Sequence, residues 1–144
     1  NVACFNGATG AVDLILAGGT SPFTYLWSNG ATSEDIAGVT AGNYTVVITD
    51  AAGCVVNASG NVTQPASALS GSVTSQTNVT VTGGNDGSLT VDGTGGTSPY
   101  LFSLNGGAYQ ASGTFGTLTA AVYTVTIQDM NLCNFKSHFL RLYP

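Results

Sequence analysis

This sequence predicts an all-β chain made of two tandem antiparallel β-sandwich units, and three observations carry that prediction. The pentapeptide Gly-Gly-Thr-Ser-Pro stands at 18–22 and again at 95–99. The residues around the two copies match as well. Apolar residues recur with period two between turn-forming Gly, Asn and Pro, and no helical period of useful length interrupts them.

The repeat organises everything else. A shift of 77 sets Phe23, Tyr25 and Trp27 on Tyr100, Phe102 and Leu104, Asn1-Val2 on Asn78-Val79, and Gly10 on Gly87. Downstream the shift becomes 79, which sets Tyr44 to Asp50 on Tyr123 to Asp129, Cys54 on Cys133 and Pro65 on Pro144. Two residues are therefore inserted near 112–114 in the second copy. The chain divides into a first unit over 1–65 and a second over 66–144, with 66–77 as connecting segment and first strand of the second unit. Leu69 and Val73 mark that strand. The first unit has no counterpart of it, so its edge is either open or completed by residues ahead of Asn1.

Each element has its local reason. Val12 to Leu16 and Leu89 to Val91 follow the Gly10 and Gly87 turns as strands. The aromatic stripe 23–27 alternates as a half-buried strand does. Asn29-Gly30 and Asn105-Gly106 are favoured two-residue hairpin turns, because both central residues can take positive φ. Tyr44, Val46 and Ile48 share one strand face, as do Tyr123, Val125 and Ile127. Ala51-Ala52-Gly53 then turns the chain into a last strand at 55–63. Tyr44 sits where an immunoglobulin-like domain has its tyrosine corner, which makes the expected units immunoglobulin-like sandwiches.

Composition excludes several functions. Charged residues make up 6% of the chain, against roughly 25% in typical domains, so Thr, Ser, Asn, Gly and Ala cover the surface. A net charge of −5 with two basic residues argues against nucleic acid and against an anionic membrane surface as partners. No stretch approaches the roughly 18 apolar residues of a membrane span, so membrane insertion is not expected. The chain opens at Asn without a signal peptide, as a processed protein or an excised fragment does.

No constellation points to catalysis. His138 is the one histidine, and no second His or close cysteine pair offers a zinc site. The sequence calls for no cofactor and no metal. Asp50 and Asp129 occupy equivalent turn positions, where an aspartate caps turn backbone. A calcium site would need more oxygens. Only Asn85-Asp86 could contribute, and the first unit has Ala8-Thr9 there. Lys136 is the one lysine, so the first unit cannot form a lysine–asparagine isopeptide cross-link. The sequons at Asn43, Asn57, Asn61 and Asn78 are read as unmodified in a Thr/Ser/Asn-rich chain.

Taken together, the opening Cys4, the run Gly-Gly-Thr-Ser-Pro-Phe-Thr-Tyr-Leu-Trp-Ser-Asn-Gly, Ala41-Gly42-Asn43-Tyr44-Thr45-Val46, Thr49-Asp50-Ala51-Ala52-Gly53-Cys54 and Gln64-Pro65 resemble the SprB-type repeat. Such repeats occur in tandem in large surface adhesins of gliding Bacteroidota. The second unit departs from the pattern at Val81, Leu104 and Ala121. The resemblance implies an extracellular, non-enzymatic structural or adhesive module that builds or extends a cell-surface filament. It carries no binding residues across. The competing reading is an accessory or carbohydrate-binding domain of a larger secreted enzyme, with Tyr109 and Phe115 as aromatic candidates.

Secretion supplies an oxidising compartment. Cys4 and Cys54, both at strand ends, are then expected to form a disulfide within the first unit, leaving Cys133 as an unpaired thiol. The last strand concentrates Lys136, His138 and Arg141 after all seven acidic residues. Phe135, Lys136, Phe139, Arg141 and Tyr143 are therefore candidate residues for head-to-tail self-association or contact with neighbouring repeats, with Phe135 and Phe139 also suited to the unit's own core. In that picture the C-terminal strand meets the open edge of a neighbouring first unit. Surface polysaccharide is the other partner class expected.

Overall fold

Alternating inward and outward residues build two sheets in each unit. The computed structural model describes residues 1–143, with backbone only over 138–141. It separates into Asn1–Pro65 and Ala66–Pro144, and each is all-β and antiparallel. The first unit contains β1 (Gly10–Val12), β2 (Thr24–Trp27), β3 (Ile36–Val39), β4 (Gly42–Thr49) and β5 (Val55–Val62). They form one sheet of β1 and β3 and a second in the order β2-β4-β5. The second unit contains β6 (Ser70–Thr77), β7 (Gly87–Thr94), β8 (Leu101–Leu104), β9 (Thr114–Leu118), β10 (Val122–Gln128) and β11 (Asn134–Arg141). Its sheets run β6-β7-β9 and β8-β10-β11.

The core of each unit lies between its two sheets. In the first, Ile36 and Val39 of β3 meet Trp27, Val46, Ile48 and Val62 of the facing sheet. In the second, Leu89, Val91 and Leu118 meet Phe102, Tyr123, Val125 and Ile127. The repeat extends to strand register. Tyr25 pairs with Ile48 and Trp27 with Val46, and Phe102 pairs with Ile127 and Leu104 with Val125. Trp27 satisfies its buried indole by donating from Nε1 to the Ser33 carbonyl at 2.9 Å. The tyrosine corner is present in both copies: the Tyr44 hydroxyl donates to the Thr40 carbonyl and the Tyr123 hydroxyl to the Thr119 carbonyl, each at 3.0 Å.

Two expectations need correction. The Asn-Gly turns are not equivalent. Asn105 and Gly106 both take positive φ, and Gly107 N–H closes the turn on the Leu104 carbonyl, as in a type I′ hairpin. In the first unit only Gly30 of the pair takes positive φ. There Trp27 N–H reaches the Ala31 carbonyl, so three residues form the loop, and the glycine supplies the left-handed step that ends it.

The second correction concerns the strand expected over Val12 to Leu16. Its counterpart β7 runs for eight residues between β6 and β9. In the first unit the ladder stops at Val12. Residues 12–16 keep the alternation of half-buried and exposed positions, but β1 pairs with β3 alone. Among the described residues no strand lies where β6 lies in the second unit, so the outer backbone groups of 13–17 have no ladder partner there.

Candidate functional surfaces

Each unit ends one pole in the same aspartate-centred turn. Asp50 Oδ1 accepts N–H groups of Ala52 at 2.9 Å and Cys54 at 2.8 Å, and its Oδ2 accepts that of Thr20 at 3.1 Å. Asp129 Oδ1 accepts from Asn131 and Cys133 at 2.9 Å each, and its Oδ2 from Thr97 at 2.9 Å. One carboxylate thus fastens the β4–β5 or β10–β11 turn to the Gly-Gly-Thr loop, which explains why that loop and the aspartate recur together. These aspartates are turn caps. Among the described residues, no group of three His, Cys, Asp or Glu side chains is placed to hold a metal ion.

The cysteines do not pair as expected. Cys4 and Cys133 are the disulfide-bonded residues, and Cys54 carries a free, exposed thiol. Within the first unit the reason is distance. The Cys4 loop is tied to the end of β5, because Val2 N–H donates to the Thr63 carbonyl and Asn6 N–H to Gln64 Oε1. Cys54 stands before the start of that strand, where its carbonyl accepts Asp50 N–H. Eight residues of β5 at about 3.4 Å each separate the two ends, whereas a disulfide needs Cα atoms within about 7 Å. A Cys4–Cys54 bond would require the sheet to come apart. The Cys133 expected to be unpaired is a bonded one.

The candidate assembly residues divide. Phe135 packs against the second unit's own core. Lys136 is exposed, and Tyr143 is 51% exposed. Phe139 and Arg141, with His138, lie outside the residues whose side chains are described. Among the described residues, strand β11 is paired with β10 alone. Beside it lies an open polar hollow of about 620 Å³, lined by Asn105, Tyr109, Thr124, Thr126, Asn134 and Lys136 among others. Tyr109 is 43% exposed and donates its hydroxyl to Asn134 Oδ1. Phe115, the other aromatic candidate, packs on the core instead.

Sequence reasoning missed a smaller and more apolar hollow, in the first unit. It measures about 260 Å³ and is lined by Leu16, Phe23, Ile48, Asp50 and Val56 among others, with Cys54 at the same site. Val56 points inward, paired with Ile48, yet it is 56% exposed. Its counterpart Phe135 is partly buried. Asp50 is half-buried, whereas Asp129 is 2% exposed. The available signal was the unmatched segment 66–77.

The SprB repeat family model matches residues 1–32 and 73–109, one segment in each unit. The chain therefore carries this repeat in two copies, as the resemblance implied. SprB repeats are structural repeats and occur in surface proteins. No curated protein and no solved structure matches the chain. No helix among the described residues is long and apolar enough to cross a membrane.

Two measurements check these turns. The N–H groups of Cys54 and then Thr20 hold the Asp50 carboxyl below the usual carboxylate range. A lowered folded pKa adds stability above the unfolded value of about 3.9, and that stability is lost as pH falls through the folded value. Acid unfolding of the first unit should therefore begin below about pH 4, and Asp50→Asn should flatten that limb in thermal melts across the acid range. An unchanged acid limb would remove Asp50 from the account. In non-reducing conditions a maleimide should add once per chain, at Cys54; peptide mapping that finds the label on Cys4 or Cys133 would contradict the assignment.

Proposed function

We propose, starting from a chain built of two SprB repeats, that it is an extracellular, non-enzymatic module that extends a filament on the surface of a gliding bacterium of the Bacteroidota. The observation that carries this reading is the repeat itself, written twice in one chain. Two physical features support it. The surface holds few charges to attract nucleic acid or anionic lipid. Each unit has its own core cluster, so copies can be strung together with contacts only between neighbours. Head-to-tail self-association with neighbouring repeats fits this role, with Lys136 exposed on β11.

A second reading rests on the polar hollow beside Tyr109. Hydroxyl, amide and lysine groups around one exposed aromatic ring suit a sugar surface, and would make surface polysaccharide a partner.

Antibody raised against the chain should label intact cells, and externally added protease should remove the signal. Gold-labelled antibody should then lie along filaments. Label that appears only after permeabilisation would overturn the surface assignment. Retention of the chain on polysaccharide gels, lost in Tyr109→Ala, would favour the carbohydrate reading over a purely structural one.

A further inference from the structure

The second unit shows what the first one lacks. There β6 lies antiparallel along β7, from Ser70 opposite Thr94 to Thr77 opposite Ser88, and also touches β11. Leu69, just ahead of β6, packs on the core. Gly71 passes so close over Ile127 that a Cβ there would meet Ile127 Cδ1 at 2.2 Å and Phe135 Cδ1 at 3.4 Å. The segment therefore needs leucine and, two residues on, glycine: the first fills the corner of the sandwich, the second lets backbone cross the core isoleucine.

The same corner of the first unit is built to the same plan and is vacant. By the repeat shifts, Ile127 becomes Ile48, Phe135 becomes Val56, Tyr100 becomes Phe23 and Gly93 becomes Leu16. Those four residues line the apolar hollow of about 260 Å³. The backbone is poised in the same way. Val91 N–H turns toward the β9 side, to the Gly113 carbonyl, and the equivalent Leu14 N–H turns to Asp35 Oδ1 on the β3 side at 2.8 Å. Strand alternation then directs the backbone groups of Asp13 and Ile15 to the opposite side, where β6 would lie. Among the described residues, no backbone hydrogen bond is made by Ile15 or Ala17.

We propose that this edge, residues 11–17 with the hollow beneath it, is a docking site for an extended segment of the β6 kind. The occupant is the lead-in strand of a SprB-type repeat, running antiparallel to 11–17, with its leucine in the hollow and its glycine over Ile48. Strand addition of this type supplies main-chain hydrogen bonds, while the hollow selects the side chains. Strand β11 does not fit the requirement: it has no Leu-x-Gly, and its Phe135 is engaged in its own core. The expected meeting of the C-terminal strand with this edge is replaced by a different donor. The Leu14 and Leu16 side chains, both partly buried against the core, shield the edge in part, which keeps the unit folded while the site is empty. This inference rests on the tandem-repeat reading above.

The test is a synthetic peptide with the sequence of residues 66–77, added to the full chain. Nuclear magnetic resonance should show saturable binding at one site, with amide exchange at Ile15 and Ala17 slowed about tenfold or more. The peptide carrying Leu69→Asp should bind about tenfold more weakly or worse, because it places a charge in an apolar hollow. The peptide carrying Gly71→Val should fail as well, and a peptide of residues 134–143 should not compete. The proposal is overturned if no peptide slows exchange at 11–17, if protection appears only in 88–94 through displacement of β6, if Leu69→Asp binds as well as the parent, or if peptide 134–143 binds instead. Any of these outcomes leaves the antibody labelling of intact cells unaffected, so failure of the docking site and failure of the surface reading are distinguishable.

Discussion

A β-sandwich this small is held together by keeping both flanks of its inward-facing strands covered. In the second unit Val91, Val125 and Ile127 are each 0% exposed, because β7 is covered by β6 and β9 and β10 by β8 and β11. Burying one such side chain contributes roughly 1.5–3 kcal/mol, and a domain of this size has few of them. An uncovered edge therefore matters twice. It leaves backbone groups without ladder partners, and it leaves inward side chains in contact with water. The two units differ in this respect, and several differences follow from it: the short β1, the exposed Val56, the half-buried Asp50.

Much of this was legible in the sequence. The alternation of Tyr44, Val46 and Ile48 and of Tyr123, Val125 and Ile127 identified the central strands. The corner tyrosines sat where their hydroxyls now reach carbonyls four residues upstream. The recurrence of Asp50 and Asp129 after those strands marked the turn caps. These features are local, and local chemistry dictates them. The turn at Asn29-Gly30 was read less well because the residue pair permits two loop lengths, and the closing contact from Trp27 to Ala31 decides between them.

What the sequence did not reveal depends on distance. In the sequence Cys4 and Cys54 both read as strand-end residues, which suggests a bond, although Cys4 lies in a loop ahead of β1. The hydrogen bonds of the Cys4 loop to Thr63 and Gln64 place it at the end of β5 opposite Cys54 instead. The apolar hollow could not be foreseen from any of its residues, since Leu16, Phe23, Ile48 and Val56 each belong to an ordinary strand or loop pattern. It becomes visible only when the second unit shows Leu69 and Gly71 in the matching place. The unmatched segment 66–77 pointed to a missing strand, but not to what the missing strand would leave uncovered.

The account as a whole depends on the first unit having an incomplete edge while its twin does not. Amide hydrogen exchange on the free full chain, resolved by residue, tests this most directly. The account predicts strong protection across 88–94 and, in the equivalent 11–17, protection confined to the end of β1 and Leu14 on the β3 side, with Ile15 and Ala17 exchanging near the rate of an open chain. Equal protection of the two segments would contradict it, because it would mean that the edge is already closed.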